Sequence, residues 1–441
     1  MSELKSYIQE TKVLGISSQL DRCPRGYAVF YKLGSTPQAE NIFIQRLEAS
    51  RASIVFISRE FKVEDERVVC LGSAKYEQLL KSAVDQFYPV SEKVKLVAVT
   101  GTNGKTSTVH LLTQLLQQIG KSVLSIGTLG ILLNGKEVAN EGLTTPGLPE
   151  LRAIIASHQD EVDFVVMEAS SHALEQQRLY GLSFDVAGWS NLTQDHLDYH
   201  LSMDKYFESK MLIAKMMKEQ AQLYISEPDL YKRVEKKFKR TILVENVSRA
   251  GVNQGLKTHF AQKNLNLAIS LFTDLGFDGV RLDLLTPAPG RFETLAYNNK
   301  YVIVDYAHTP DALINACQGA KISYPDKKLI TIFGCGGDRD KSKRPLMLEA
   351  ALKNSHQVIV TSDNPRSEDP QAIIDDIICG SKNTAITSEV DRKTAIESSI
   401  KMMSENDIVL IAGKGHETYQ EIKGVKHAFD DIKIARKALG L

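Results

Sequence analysis

Residues Val97 to Thr108 read VAVTGTNGKTST. The stretch ends as a nucleotide-binding phosphate loop ends, G-x-x-x-x-G-K-[ST]. The opening glycine of that pattern is absent: Val99 stands in its place and a glycine comes late, at Gly101. The flanks give the likeness meaning. Upstream, KLVAVT at 95–100 is short and almost wholly apolar, as in a strand buried on both faces of a parallel sheet. Downstream, Val109, Leu112, Leu115, Leu116 and Ile119 recur at helical spacing, and Gly120 suits a helix end. Strand, glycine-bearing loop and helix thus stand in the order a phosphate site needs, with backbone N–H groups converging at a helix N-terminus. In that setting Lys105 reaches the phosphates and the Thr106 hydroxyl serves Mg²⁺.

Outward from the loop, the fold reads as α/β in three domains. Residues 1–90 mix short apolar runs such as YAVFY with turn residues, and end in the amphipathic helix pattern AKYEQLLKSAVDQFY. PVSEK follows as a linker. Residues 91–286 form the central P-loop, parallel-sheet domain. Residues 287–441 form a doubly wound, Rossmann-like domain in which one theme recurs. The apolar runs YVIV, LITIF, QVIVTS and DIVLIAG each lead into a polar loop, namely DYAH, GCGGDRDKSKR, DNPRSEDP and KGHE. Ligands bind at the carboxyl ends of strands in such sheets, so these loops predict one shared site.

Bulk properties narrow the class. The chain has 441 residues, 43% apolar and 24% charged, the profile of a globular protein. Lys and Arg together number 54, as do Asp and Glu, so no net charge favours nucleic acid or an anionic membrane. The five cysteines are scattered without zinc-ligand spacing and read as reduced thiols. The N-terminal residues lack an apolar signal core, and no apolar run approaches the roughly 20 residues of a membrane span. The expectation is a cytoplasmic monomer without membrane insertion.

Three further places invite chemistry. In DFVVMEASSHALEQQR, Glu168 ends an apolar strand, where a carboxylate beside a nucleotide suits Mg²⁺. NLTQDHLDYH crowds Asp195, His196, Asp198 and His200 into six residues, which fits either metal ligation or helix capping. Lys210, in YFESK, reads by itself as a surface lysine.

Taken together, TGTNGKTST, LTTPG, MEASSHALEQQR, NLTQDHLDYH, YFESK, GRFE, DYAHTPDAL, FGCGGDRDKSKRPLM, DNPRSEDP and AGKGHE stand in the order found in Mur ligases. The sequence resembles that family, and its diaminopimelate-adding branch most, strongly from about residue 91 onward. The resemblance implies an ATP- and Mg²⁺-dependent amide ligation in peptidoglycan precursor synthesis. Its substrates would be UDP-MurNAc-L-Ala-D-Glu and meso-diaminopimelate, joined through an acyl phosphate. It further implies catalytic roles for Lys105, Glu168, His196 and Lys210. ATP would meet Gly101, Thr102, Asn103, Gly104, Lys105, Thr106, Ser107, Asn264, Arg291 and Asp305. Metal would be held by Thr106, Glu168, His196 and Lys210, the lysine carbamylated. Thr144, Thr145, Ser170, Gln176 and Arg178 would hold the muramyl dipeptide. Arg339, Asp363, Asn364, Pro365, Arg366, Gly413 and Glu417 would hold diaminopimelate. Arg366 is the physically informative member, because a guanidinium can grip the second carboxylate that lysine lacks.

Two stretches depart from the family pattern. HFAQKNLNLAIS replaces an asparagine-rich adenine-contacting stretch: Asn264 aligns with its second asparagine, but Ala261 takes the place of the first. Near the N-terminus, SSQLDRCPRG replaces the uridine-contacting signature, with Ser18 as its substitute. A related ligase with another amino acid or acceptor, such as a polyglutamate-adding enzyme, is the alternative reading.

Overall fold

The computed structural model describes residues 12–441. The chain is α/β throughout and divides into two compact units, one comprising the residues up to Val97 and Lys121–Phe184, the other Ala98–Gly120 and Asp185–Leu441.

The first unit contains a four-stranded parallel sheet in the order Gly15–Ser17, Tyr27–Tyr31, Ile54–Ile57, Val68–Cys70. Its strands alternate between two apolar layers: Ala28 and Phe30 face one, Val29 the other. This is the period-2 pattern of a sheet covered on both faces. The helix Pro37–Ala49 begins with Pro37 behind Thr36, whose side chain accepts from Ala39 N, and buries Phe43 and Leu47 on the Val29 side. The predicted amphipathic helix is Ser73–Phe87, with Tyr76, Leu79, Ala83 and Val84 buried on the opposite side. The same unit holds the strand Phe164–Glu168, parallel to Val123–Gly127, and an antiparallel run through Gly130–Leu133 and Lys136–Ala139.

In the second unit the phosphate loop leads into the helix Lys105–Gln118, against which the helix His259–Asp274 packs. The strands Val186–Trp189, Leu223–Ile225 and Thr241–Leu243 lie parallel to one another. A six-stranded sheet runs in the order Glu293–Tyr297, Lys300–Asp305, Asp407–Ala412, Lys328–Phe333, Gln357–Thr361, Ile386–Glu389. Only its first strand is antiparallel. Asp407–Ala412, the last of these strands in sequence, sits inside the sheet, paired with both Lys300–Asp305 and Lys328–Phe333. Registers such as Asp305 opposite Ala412 and Phe333 opposite Val360 bring the four predicted loops out along one edge. Alternate residues feed two cores, Ile303 and Leu410 on one face, Val302, Val304, Val409 and Ile411 on the other.

Candidate functional site

The second unit gathers most of the nucleotide residues read from sequence. Gly101 and Gly104 have φ of 143° and 87°, conformations that favour glycine. Both positions are also crowded. A Cβ on Gly101 would run into the Ser190 hydroxyl, and one on Gly104 into the Asn264 amide. Asn264 is thereby placed against the loop, as expected. The loop is tied down by Thr102 N donating to Asn191 O at 3.1 Å and Asn103 N to Asn191 Oδ1 at 2.9 Å. Lys105 Nζ donates to Gly101 O at 2.9 Å and Thr102 O at 2.8 Å. Lys210 Nζ donates to the same Gly101 O at 2.8 Å. The lysine that reads as a surface residue is in fact 1% exposed. Burial drives its pKa well down, the Lys105 cation adds to this, and Asp195 opposes it. Tyr206 closes one side: its ring lies 4.6 Å from Lys210 Nζ and its hydroxyl donates to Thr102 Oγ1.

Arg291 Nη2 donates to Thr106 Oγ1 at 3.2 Å, and its guanidinium stacks 4.2 Å above the Tyr306 ring. Asp305, at the end of its strand, accepts from Phe292 N at 2.7 Å and Ala307 N at 2.8 Å. Burial still raises its carboxyl pKa, against the pull of Arg291 and these amides. Asn103 Nδ2 reaches Thr309 Oγ1 and Asp311 Oδ2 at the start of the helix Pro310–Ser323. A cavity of about 420 Å³, of the size small-molecule sites have, is lined by Asn103, Gly104, Ser107, Asn264, Arg291 and Asp305. Phe260, Lys263, Tyr306, Asp311 and Asn315 also line it; Tyr306 and Asp311 stand in the quoted DYAHTPDAL, but sequence reading assigned none of the five a role.

The crowded acidic and histidine stretch stays together only in part on folding. His196 and Leu201 take φ of 55° and 65° at the two ends of the short helix Leu197–His200. Asp195 is buried, 3.4 Å from His196 and 3.8 Å from both His308 and Lys343. Burial would raise its carboxyl pKa, but those three groups outweigh it and hold it below the usual carboxylate range. His200 is buried, with Nδ1 3.1 Å from Ser209 Oγ, whereas Asp198 is exposed. Among the described residues no group of three His, Cys, Asp or Glu side chains is arranged to hold a metal ion.

In the first unit, five of the predicted substrate residues join Glu168 in one network. Glu168 Oε1 accepts from Thr128 N at 2.8 Å, and Thr128 Oγ1 lies 3.2 Å from both Glu168 Oε2 and Thr144 Oγ1. Thr145 Oγ1 donates to Glu168 O at 2.8 Å and to Ser170 Oγ at 3.3 Å. Arg178 donates to Thr145 O at 2.8 Å and grips Gln176 Oε1 through Nε and Nη2. Ser18 belongs to a neighbouring arrangement. Its N–H and hydroxyl donate to Glu150 at 2.6 and 2.7 Å, and Ser17 Oγ donates there at 2.8 Å. A Cβ on Gly147 would meet Ser18 Oγ, so the LTTPG turn and Ser18 come together.

The amino-acid residues meet at the loop edge of the six-stranded sheet. Asn364 Nδ2 donates to Glu417 Oε2 at 2.9 Å, and Lys414 Nζ bridges Asn364 Oδ1 and Glu417 Oε2, both at 3.0 Å. Lys414 also lies 3.8 Å from Asp363 and is fully buried. It stands in the quoted AGKGHE, but no sequence signal says that this lysine turns inward. A Cβ on Gly413, at φ 121°, would strike Asp363 Oδ2. Pro365 packs its carbonyl against Gly337. Arg366 Nη1 donates to Gly337 O at 2.7 Å, whereas Arg339 is exposed and donates to its neighbour's carbonyl, Asp338 O, at 3.3 Å. Behind the pocket, Arg392 and Asp431 form a fully buried ion pair at 2.7 Å, and Arg392 Nη2 donates to Ala412 O.

A glycine-tight phosphate loop, a cavity beside it and an α/β frame define a nucleotide-using enzyme. Residues 99–299 match the Mur ligase middle domain, and residues 290–415 match the Mur ligase glutamate ligase domain. A UDP-N-acetylmuramoyl-L-alanyl-D-glutamate–2,6-diaminopimelate ligase from Aquifex aeolicus is 36% identical, covering 97% of this chain and 94% of its own. A solved structure of a protein of the same name is 30% identical with a TM-score of 0.58, covering 97% of this chain and 95% of its own. The MurF ligase of Thermotoga maritima, solved with ADP, shares the fold at 16% identity and a TM-score of 0.65, over 97% of this chain and 98% of its own. The chain belongs to the Mur ligase family, and it is a ligase.

Proposed function

We propose that this protein adds meso-diaminopimelate to UDP-MurNAc-L-Ala-D-Glu, forming an amide bond at the expense of ATP in peptidoglycan precursor synthesis. The observation that carries the reading is the convergence, in one unit, of the Lys105 loop, Arg291 and Asp305 around a single cavity, in a chain 36% identical to a ligase of that name. The γ-carboxylate of D-glutamate attacks the γ-phosphate of ATP and ADP leaves. The amine of the incoming amino acid then attacks the acyl phosphate, forming the amide and releasing phosphate. Phosphoryl transfer between anions asks a protein for positive charge and positioning. Lys105 and Arg291 supply the charge, and Asn103, Ser107 and Asn264 position the nucleotide. Mg²⁺ would add charge on the phosphates. Thr106, His196 and Lys210 are its candidate ligands in one unit, and Glu168 in the other. Lys210 fits carbamylation because its burial favours the neutral amine, the form that attacks CO₂.

Thr144, Thr145, Ser170, Gln176 and Arg178 hold the dipeptide end of the acceptor, and Ser18 the uridine end. Asp363, Asn364, Arg366, Gly413 and Glu417 shape the amino-acid pocket, with Arg366 taking the second carboxylate. Arg339, exposed on its loop, is the outermost member. The division at residues 90 and 286, a monomeric state and a cytoplasmic location belong to the same reading. Among the described residues, no helix is long and apolar enough to cross a membrane.

The test is phosphate release with ATP, Mg²⁺ and UDP-MurNAc-L-Ala-D-Glu, with meso-diaminopimelate or L-lysine added in parallel. Release with diaminopimelate alone, abolished in Arg366→Ala, is the expected result. Release with lysine or glutamate and none with diaminopimelate overturns the reading.

A further inference from the structure

The Asp363–Arg366 loop is strapped by the antiparallel hairpin Tyr419–Ile422 and Val425–Ala428. Gln420 Nε2 donates to Asp363 O at 2.6 Å and Glu421 N to Asn364 Oδ1 at 2.9 Å. Arg366 N donates to Glu421 O at 3.0 Å, and Lys423 N to Arg366 O at 2.6 Å. Held this way, Arg366 has φ of 51°, a left-handed conformation that a non-glycine residue keeps only where its surroundings impose it.

The guanidinium can be accounted for atom by atom. A carboxylate binds such a group in bidentate fashion along one of its N–H edges. Nη1 is committed to Gly337 O, which leaves the edge formed by Nε and Nη2. Glu421 Oε2 lies 3.5 Å from Nε, within ion-pair range but longer than a hydrogen bond of good geometry. The two side chains are 23% and 27% exposed, so an incoming molecule can reach the pair.

We propose that Glu421 is a specificity-determining residue: its carboxylate stands at the edge of Arg366 that the second carboxylate of the amino acid must take, so a dicarboxylate binds by exchange. The inference rests on the diaminopimelate reading. Glu421 weakens dicarboxylate binding by competition. It also spares lysine the cost of leaving a guanidinium without an anion, and so narrows the margin between the two amino acids.

The experiment compares the full-length protein with Glu421→Gln, which keeps the backbone bonds and removes the charge. The expected result is a fall in KM for diaminopimelate of about threefold, the scale of a partly exposed ion pair. KM for ATP and kcat stay unchanged, and lysine still supports no release. In the Arg366→Ala background the same change does not restore release with diaminopimelate, as expected if Glu421 acts only through Arg366. Glu421→Leu gives the same direction as Glu421→Gln. An unchanged or higher KM for diaminopimelate in Glu421→Gln, with the unaltered protein active on diaminopimelate, overturns this inference alone. A protein inactive on diaminopimelate but active on another amino acid overturns the functional reading, and this inference with it.

Discussion

Two ends of the second unit handle charge in opposite ways. Around the phosphate loop, two lysine amines converge on one neutral acceptor, the carbonyl of Gly101, and burial, helped by the Lys105 cation, pushes Lys210 toward its neutral form. Around the Asp363–Arg366 loop, cations are matched with carboxylates of the chain, Lys414 with Glu417 and Arg366 with Glu421. A cation at Lys105, beside a lysine already pushed toward neutrality, favours an anionic ligand, so the first end is built to attract phosphates. The second end is already close to neutral and selects by replacing one partner with another.

The contrast is most exposed at Lys105. Lys105→Ala should lower kcat for phosphate release by roughly 100- to 1,000-fold, the scale for losing one donor to developing charge. A loss below tenfold would mean that this end is not organised around the phosphates. At the other end, Lys414→Met removes the cation between Asp363, Asn364 and Glu417. KM for the amino acid should rise about tenfold, as expected for losing charge-assisted hydrogen bonds, while KM for ATP changes little. An equal rise in both constants would show that the two ends are not separable. The smallest effect lies in the scaffold of the selecting end. Arg344 donates to Glu368, Glu368 accepts from Asp338 N, and together they hold the loop against which Arg366 rests. The Arg344 hydrogen bond lowers the Glu368 carboxyl from 4.5 to about 2. Its stabilising effect is therefore complete above pH 4.5 and fades as pH falls through about 2. Glu368→Gln should lower the melting temperature near pH 7 by about 2–4 °C, and the difference should shrink below pH 4.5. A constant difference across that range would remove the pair from the account.

The frame was legible because its signals are local. KLVAVT, YVIV, LITIF, QVIVTS and DIVLIAG are apolar runs of strand length, and each becomes a strand with the expected loop at its end. Side-chain facing was not legible where one backbone angle decides it. Asp195, His196, Asp198 and His200 look like one cluster in sequence, yet in the structure Asp195 keeps His196 at 3.4 Å while Asp198 is exposed and His200 turns inward to Ser209, with left-handed residues at 196 and 201. Lys210 and Lys414 show the same limit. A lysine in YFESK or AGKGHE carries no mark of burial, and only packing by Tyr206 in one case and by Asp363, Asn364 and Glu417 in the other determines it. Ser18 was singled out by position alone. That Glu150, more than a hundred residues on, holds its hydroxyl could not have been read from the chain.

The place of Asp407–Ala412 inside the six-stranded sheet bears on how the protein is made. Five strands of that sheet are synthesised before the one that joins Lys300–Asp305 to Lys328–Phe333. Until it emerges, those two strands each expose an open edge, and such edges invite mispairing during slow, long-range assembly. A chain cut short before residue 407 keeps both edges open and is a substrate for chaperones or proteases, whereas the strand at Asp407–Ala412 closes the sheet on which both ends of the site depend.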